Sequence, residues 1–190
     1  MRKIVAGLFM SLDGVVSAPD GWQFPYFDDE MTDGIKAGVA EADAVLLGRH
    51  TYLEFAELWP SQDSSVPMAD FLNNAPKYVV SSTLDTLAWA NSRLLTGDLA
   101  GELTNLKEQP GRNVLIPGSP ALVRSLLRAG LLDELSLNIC PIVVGSGTRL
   151  FEGMTDQVGL KVVESTTYGT GVLSVTYRPQ SAPWARPAQE

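Results

Sequence analysis

The feature that most constrains the fold is the alternation of short apolar runs with segments of helical periodicity. The runs IVAGLFM, ADAVLLG, KYVVSS, RLLTG and RNVLIPG are predicted strands, and helical patterns separate most of them. Such alternation is typical of an α/β fold with a mainly parallel sheet. The last third differs, because ELSLNICPIVVG, GLKVVESTTY and VLSVTYRP are strand-like and no convincing helix separates the last two. Tyr168–Gly171 is predicted to turn these two back on each other as an antiparallel hairpin.

Helix boundaries follow from local chemistry. The acids at 28–30 suit a helix N-terminus, and Met31, Ile35 and Val39 recur at near-helical spacing. Further helices are predicted at 51–58, at 67–74 and at 98–109. In the fifth predicted helix, Ser119 is the expected N-cap, Pro120 is the first helical residue, and Gly130 ends the helix.

Composition limits the functions that the chain can have. A length of 190 residues with 45% hydrophobic content fits one domain, which we assign to residues 1–178 with a flexible tail at 179–190. A net charge of −8 without a basic cluster argues against nucleic-acid binding. No segment is apolar and long enough to span a membrane, and a cytoplasmic protein is expected. The single Cys140 is read as a core thiol.

Three predicted strands end in small, glycine or hydroxyl residues just before a loop or a helix. The first of these ends is Gly48-Arg49-His50-Thr51, the second Ser81-Ser82-Thr83 and the third Gly118-Ser119-Pro120. In an open α/β sheet, ligands bind beyond the carboxyl ends of the strands, where helix N-termini offer free N–H groups. Together these ends could hold a diphosphate, with Arg49 on a phosphate monoester. Each end taken alone is also ordinary turn or helix-start chemistry.

In their order and spacing, SLDG, LLGRHTY, KYVVSS, the Gly-Ser-Pro helix, GLLDEL and PIVVGSGTRLF resemble the dihydrofolate-reductase-like superfamily. The resemblance covers residues 2–178, and is nearest to the branch of the C-terminal reductase domain of the riboflavin-biosynthesis deaminase-reductase. It implies a mixed, mainly parallel central sheet flanked by helices, with antiparallel C-terminal strands. It also implies NADPH as cofactor and a homodimer.

The resemblance further implies roles for the residues at the strand ends. Arg49, next to Gly48, would contact the 2′-phosphate of the adenosine, and His50 and Thr51 the diphosphate. Ser81 and Ser82 would lie at the adenosine phosphate. The positions expected to approach the diphosphate and the nicotinamide ribose are Gly118, Ser119 and Ala121. Relatives commonly carry Gly-Gly where this chain has Pro117-Gly118, so one backbone N–H is missing there.

Candidate substrate residues lie between the first strand and the first helix. Asp29 and Asp33 are one helical turn apart and are candidates for the proton donor, or else simple partners of the helix dipole. Trp22 and Phe27 could stack on a planar heterocycle or pack as a hydrophobic lid. Asp13 could touch substrate or only close an Asp-Gly turn.

The expected function is therefore that of an NADPH-dependent reductase of a small planar heterocycle, pyrimidine-like or pterin-like. In such an enzyme the cofactor carries the hydride chemistry. Two alternatives remain at this level: a genuine dihydrofolate reductase, and a nucleotide-binding module without catalysis. Nothing in the sequence indicates a metal site, since the only histidine is His50.

Overall fold

The computed structural model describes residues 1–180. The strands are β1 Ile4–Ser11, β2 Ala42–Gly48, β3 Lys77–Val80, β4 Ser92–Leu95, β5 Asn113–Pro117, β6 Glu134–Cys140, β7 Leu160–Thr167 and β8 Leu173–Pro179. The helices are α1 Asp29–Ala40, α2 Arg49–Leu58, α3 Ala69–Asn74, α4 Leu99–Glu108 and α5 Pro120–Arg128. Of the tail predicted at 179–190, residues 181–190 lie outside the described residues.

The strands form one mixed sheet of eight in the order β4-β3-β2-β5-β1-β6-β8-β7. Neighbours from β4 to β6 are parallel, whereas β8 pairs antiparallel with both β6 and β7. The predicted α/β class, with antiparallel strands at the C-terminal end, is confirmed. The predicted hairpin is present, because the N–H of Gly171 donates to the carbonyl of Tyr168 at 2.9 Å.

Helices cover both faces of the sheet, and this explains why residues 44–47 of β2 are all apolar. Ala44 and Leu46 belong to the core formed with α4 and α5, while Val45 and Leu47 pack with α2 and α3 on the opposite face. A strand buried on both faces carries no polar alternation. The apolar residues 44–47 thus occupy the part of β2 that has helices packed on both faces.

The helix termini follow the predicted chemistry in most places. The carboxylate of Asp28 caps α1 by accepting the N–H of Met31 at 2.8 Å, and Gly130 follows α5 with a φ of +66°. Several boundaries were predicted wrongly by two residues or more. Helix α2 begins at Arg49 rather than Thr51, and β6 ends at Cys140 rather than running through Pro141 to Gly145. A proline has no N–H for a ladder, which fits the end of the strand there.

Cys140 is a core residue, as predicted. Its side chain is fully buried against Met31 of α1 and Val172, and burial raises the pKa of the thiol to about 11. The thiolate, which is the reactive form, is thereby disfavoured.

Candidate functional site

The carboxyl ends of β3, β2 and β5 lie side by side at one edge of the sheet. Two side-chain hydrogen bonds connect the residues that follow these ends. The guanidinium of Arg49 donates to the hydroxyl of Thr83 at 3.0 Å, which joins β2 to β3. The N–H of Gly48 donates to Oγ of Ser119 at 3.0 Å, which joins β2 to the start of α5. The structure thus brings together the three segments that the sequence singled out.

The first segment continues directly into a helix. Gly48 is the N-cap of α2 and has no side chain to cap it, so the first N–H groups of the helix lack intrahelical acceptors. Arg49 and His50 are exposed, while Thr51 is buried with its methyl group 3.6 Å from the position that a Cβ on Gly118 would occupy. The segment therefore offers N–H groups and one exposed cation at the edge of the sheet.

The second segment is less open than expected. The hydroxyl of Ser81 accepts the N–H groups of Thr83 and Leu84, both at 3.1 Å, and the residue is buried. Ser82 and Thr83 are exposed. Ser81 shapes this turn, and the donors available to a ligand are Ser82 and Thr83, the second of which sequence reasoning gave no role.

In the third segment, Gly118 and Ser119 both have a positive φ, and that of Ser119 is +57°. Gly118 has a φ of +107° and donates its N–H to the carbonyl of Ile116 at 3.1 Å. Pro117 has no N–H, so neither residue presents a free donor. Ser119 is the N-cap residue of α5, as predicted, but its hydroxyl makes no cap bond and instead accepts the N–H of Gly48. Ala121 is exposed in the first turn of α5.

A cluster of apolar side chains lies at the carboxyl ends of β1 and β6, on the face covered by α1. Trp22 and Phe27 pack there against buried Met31, as does Phe9 of β1, whose ring centroid is 5.3 Å from that of Phe27. We call residues 18–27 the aromatic segment. Its packing resembles the hydrophobic lid that was one of the two expectations for Trp22 and Phe27.

The two candidate acids of α1 lie away from this cluster. The side of α1 that faces the cluster carries Met31 and Ile35, whereas Asp29 and Asp33 are exposed. The side chain of Asp33 is 78% exposed and lies 3.6 Å from Nζ of Lys36. Trp22 and Phe27 therefore cover neither acid, and both carboxylates lie in contact with solvent.

Asp13 lies in the loop after β1, at the edge that holds the three strand ends. Its carboxylate accepts hydrogen bonds from Ser11 and from the backbone of Val144 and Gly145. The guanidinium of Arg149 lies 3.5 Å from the same carboxylate. Sequence reasoning noted the glycines of GSGTRLF but did not pair Arg149 with Asp13, because the two are far apart in the chain.

Within residues 1–180, no group of three or more His, Cys, Asp or Glu side chains is placed to hold a metal ion. Over the same residues, no helix is long and apolar enough to cross a membrane.

This sheet order, with its helices on both faces and its hairpin at the C-terminal edge, defines a dihydrofolate-reductase-like fold. Residues 2–174 match the RibD C-terminal domain family, and the chain belongs to that family. The family and the fold together support an oxidoreductase.

Three similar proteins illustrate the match. The chain is 27% identical to the uncharacterized protein YyaP of Bacillus subtilis (strain 168), over 93% of this chain and 94% of that one. A putative riboflavin biosynthesis protein from Shewanella sp. PV-4 superposes with a TM-score of 0.76 at 22% identity, over 95% of this chain and 99% of that one. Dihydrofolate reductase from Enterococcus faecalis, complexed with NADP(H), superposes with a TM-score of 0.61 at 15% identity, covering 94% and 97%. The two structures show the fold alone.

Proposed function

We propose that the protein is an NADPH-dependent reductase of a small planar heterocycle, pyrimidine-like or pterin-like. The observation that carries the proposal is the junction of three strand ends, held together by the Arg49–Thr83 and Gly48–Ser119 hydrogen bonds. In this class of sheet, such an edge is where nucleotides bind. The family match and the fold shared with an NADP(H)-binding reductase support the same conclusion.

The residues present fit a dinucleotide phosphate. The Arg49 guanidinium is exposed and stands beside the hydroxyl of Thr83, with Ser82 next to it, so a planar cation and neutral donors are available to a 2′-phosphate. The uncapped N-terminus of α2, at His50 and Thr51, suits the diphosphate.

On the β5 side, fewer backbone N–H groups are available to bind the cofactor. The N–H of Gly118 is already bonded and Pro117 has none, so contacts from this side come from the backbone at Ser119 and Ala121. The absence of a side chain at Gly118 still allows close approach, as a Cβ there would lie 3.6 Å from Thr51. We assign this turn to the diphosphate and the nicotinamide ribose.

When bound, the cofactor supplies the hydride, and the protein supplies orientation and a dry surface. The aromatic segment and Phe9 provide the apolar, planar surface against which a heterocycle would stack. The exposure of Asp29 and Asp33 leaves solvent or the substrate itself as the simplest source of any proton.

The partner we propose is a second copy of the chain, bound through β7. This strand is at the edge of the sheet, eight residues long, and exposed from Lys161 to Thr167 on both faces. Val162 and Val163 are 50% and 41% exposed. A long, exposed edge strand that carries apolar side chains such as these is normally covered or paired.

The function is tested by following NADPH oxidation spectrophotometrically against a panel of pyrimidines, pterins and flavins. Turnover of one member with NADPH is expected. Binding of NADPH without turnover of any member would favour a nucleotide-binding module, and turnover of dihydrofolate alone would favour a genuine dihydrofolate reductase. Failure to bind NADPH would contradict the proposal.

A further inference from the structure

The carboxylate of Asp13 is engaged on both oxygens. Oδ1 accepts the hydroxyl of Ser11 at 2.7 Å and the N–H of Val144 at 3.0 Å, while Oδ2 accepts the N–H of Gly145 at 2.9 Å. The bond from Ser11, followed by that from Val144, holds the pKa of Asp13 at about 2. The group is therefore an anion at any physiological pH, and its acceptor positions already face donors of the protein.

Arg149 completes this arrangement from the second loop. Its Nε donates to the backbone carbonyl of Asp13 at 3.2 Å, and its Nη2 donates to the carbonyl of Gly145 at 3.1 Å. The guanidinium thus spans both loops, in addition to its charge contact with the Asp13 carboxylate. The planar guanidinium makes these bonds from two separate nitrogens held in one rigid fork, a geometry that the single nitrogen of a lysine ammonium reproduces only in part.

Backbone bonds extend the contact along both loops. The N–H of Leu12 donates to Ile142 at 2.8 Å, that of Val16 to Thr148 at 2.9 Å, and that of Leu150 to Gly14 at 2.9 Å. We call these contacts between residues 11–17 and 142–150 the loop clamp.

Gly147 shows how closely the two loops approach. A Cβ there would lie 2.6 Å from Oγ of Ser17 and 2.8 Å from Cγ1 of Val15, and the φ of Gly147 is +123°. No other residue fits this conformation and this space without displacement. The clamp is a tightly fitted contact between loops that follow β1 and β6.

The loop clamp is continuous with the aromatic segment. Residues 18–27 leave the clamp directly after Ser17, whose carbonyl accepts the indole N–H of Trp22 at 3.3 Å. Trp22 and Phe27 then pack on the cluster that contains Phe9 and Met31. The position at which the segment starts is therefore set by the clamp.

We propose that Asp13 and Arg149 are positioning residues, which hold the aromatic segment in place over the substrate. This inference rests on the proposed function for its link to catalysis. Asp13 then acts indirectly and does not contact the substrate, because its carboxylate oxygens are already bonded within the loop clamp. The effect on the reaction passes through Trp22 and Phe27.

The test compares Asp13→Asn, Arg149→Ala and Arg149→Lys with the wild-type protein. Amide hydrogen exchange is measured in residues 12–17, 18–27 and 142–150, together with the affinity for NADPH and kcat and KM for the panel member that is reduced. Asp63→Asn is the matched control, because the Asp63 carboxylate also accepts a backbone N–H, from Ser65 at 2.9 Å, in a separate exposed loop.

Asp13→Asn and Arg149→Ala are expected to speed exchange in the clamp and in residues 18–27. They should lower kcat/KM for the heterocycle by about tenfold or more, as for the loss of one charge-assisted hydrogen bond. NADPH affinity should stay within about twofold, because the clamp makes none of the bonds at the ends of β2, β3 and β5. Arg149→Lys should recover part of both effects, and Asp63→Asn should show neither.

Unchanged exchange in residues 18–27 would overturn the proposal, and so would faster exchange with unchanged kcat/KM. A loss of NADPH affinity as large as the loss of kcat/KM would indicate general unfolding instead of positioning. If the wild-type protein reduces no heterocycle, the proposed function fails separately, and exchange in residues 18–27 still decides whether the clamp positions that segment.

Discussion

The hydroxyl of Ser119 accepts the backbone N–H of Gly48 at 3.0 Å, across 71 residues of chain. Gly48 is the last residue of β2, and Ser119 lies two residues beyond the end of the neighbouring strand β5. The bond therefore ties the segment that begins α2 to the segment that begins α5. Ser119 is buried and has a φ of +57°, a left-handed conformation that few residues other than glycine adopt readily. The Ser119 side chain makes a hydrogen bond that glycine, which adopts this conformation more easily, cannot make.

Two substitutions at Ser119 distinguish the contribution of the hydrogen bond to stability from that of the strained backbone conformation. Ser119→Ala loses the bond and keeps the strain, so it should destabilise the fold by about 1–2 kcal/mol, the cost of removing the acceptor from a partly buried N–H. Ser119→Gly loses the bond but relieves the strain, so its loss should be smaller by about 1 kcal/mol. Urea unfolding of both variants measures the difference. A glycine variant less stable than the alanine variant would contradict this account.

Arg49 should decide between NADPH and NADH. Its guanidinium is exposed beside the hydroxyl of Thr83, so its removal deletes a charge-assisted bond to the 2′-phosphate and nothing needed by NADH. Arg49→Ala should weaken NADPH by about tenfold to a hundredfold, and NADH hardly at all. Fluorescence titration with each cofactor measures this. Arg93→Ala removes an exposed arginine from β4 and should change neither affinity, and an equal loss for both cofactors would rule out the assignment of Arg49.

The acids of α1 should prove dispensable for turnover. Asp29 and Asp33 are exposed, and Asp33 is paired with Lys36, so neither carboxyl group lies in a dry pocket where it could face a bound heterocycle. Asp29→Asn and Asp33→Asn should each retain kcat within about twofold of the wild-type value, which is smaller than the effect of removing a general acid. Steady-state kinetics across pH provides the measurement. A large loss in either variant would restore that residue as the donor.

Lys77 should make stability rise with pH in the alkaline range. Its side chain is fully buried, and Nζ donates to the carbonyls of Asn73, Ala75 and Ala90 and lies 4.5 Å from the ring of Trp89. Among the described residues, no carboxylate lies within 4.0 Å of it. Burial lowers its pKa from an ordinary 10.5 to about 8.

The sign follows from proton uptake. Between pH 8 and pH 10.5 the unfolded chain holds the Lys77 proton and the folded chain releases it, so this residue makes the free energy of unfolding rise with pH. The full effect would be on the order of 3 kcal/mol. Urea unfolding from pH 7 to pH 10 should therefore show a steeper rise for the wild-type protein than for Lys77→Met. Parallel curves would show that the three carbonyls and Trp89 keep the ammonium charged.

The exposed strand β7 should mediate a dimer. Light scattering at micromolar concentration is expected to give twice the 20.5 kDa of one chain. Lysine at both Val162 and Val163 should shift the mass to that of one chain, because like charges would then meet across the paired strands. Leu58→Lys is the control, since Leu58 is 52% exposed at the end of α2, away from β7. A monomeric wild-type protein would disprove the assembly.

The sequence by itself determined the elements and the class of the sheet. Apolar runs, helical spacing, Asp28 as a cap and Pro120 with Gly130 at the ends of α5 are local signals, and the local backbone followed them. The order of strand ends was also sufficient to predict that Gly48, Ser81 and Gly118 come together, because parallel strands place their carboxyl ends at one edge.

Only the tertiary structure decided which side chains face the site and which are already bonded. The rotation of α1 about its axis puts Met31 on the sheet and leaves Asp29 and Asp33 in solvent, and it depends on packing against strands distant in sequence. Likewise the Ser119 hydroxyl makes no cap bond to α5, because it accepts the N–H of Gly48, and the Asp13 carboxylate is occupied by Val144, Gly145 and Arg149. Local periodicity carries no information on such partners, since each bond forms only after chain segments 71 to 136 residues apart have been folded against one another.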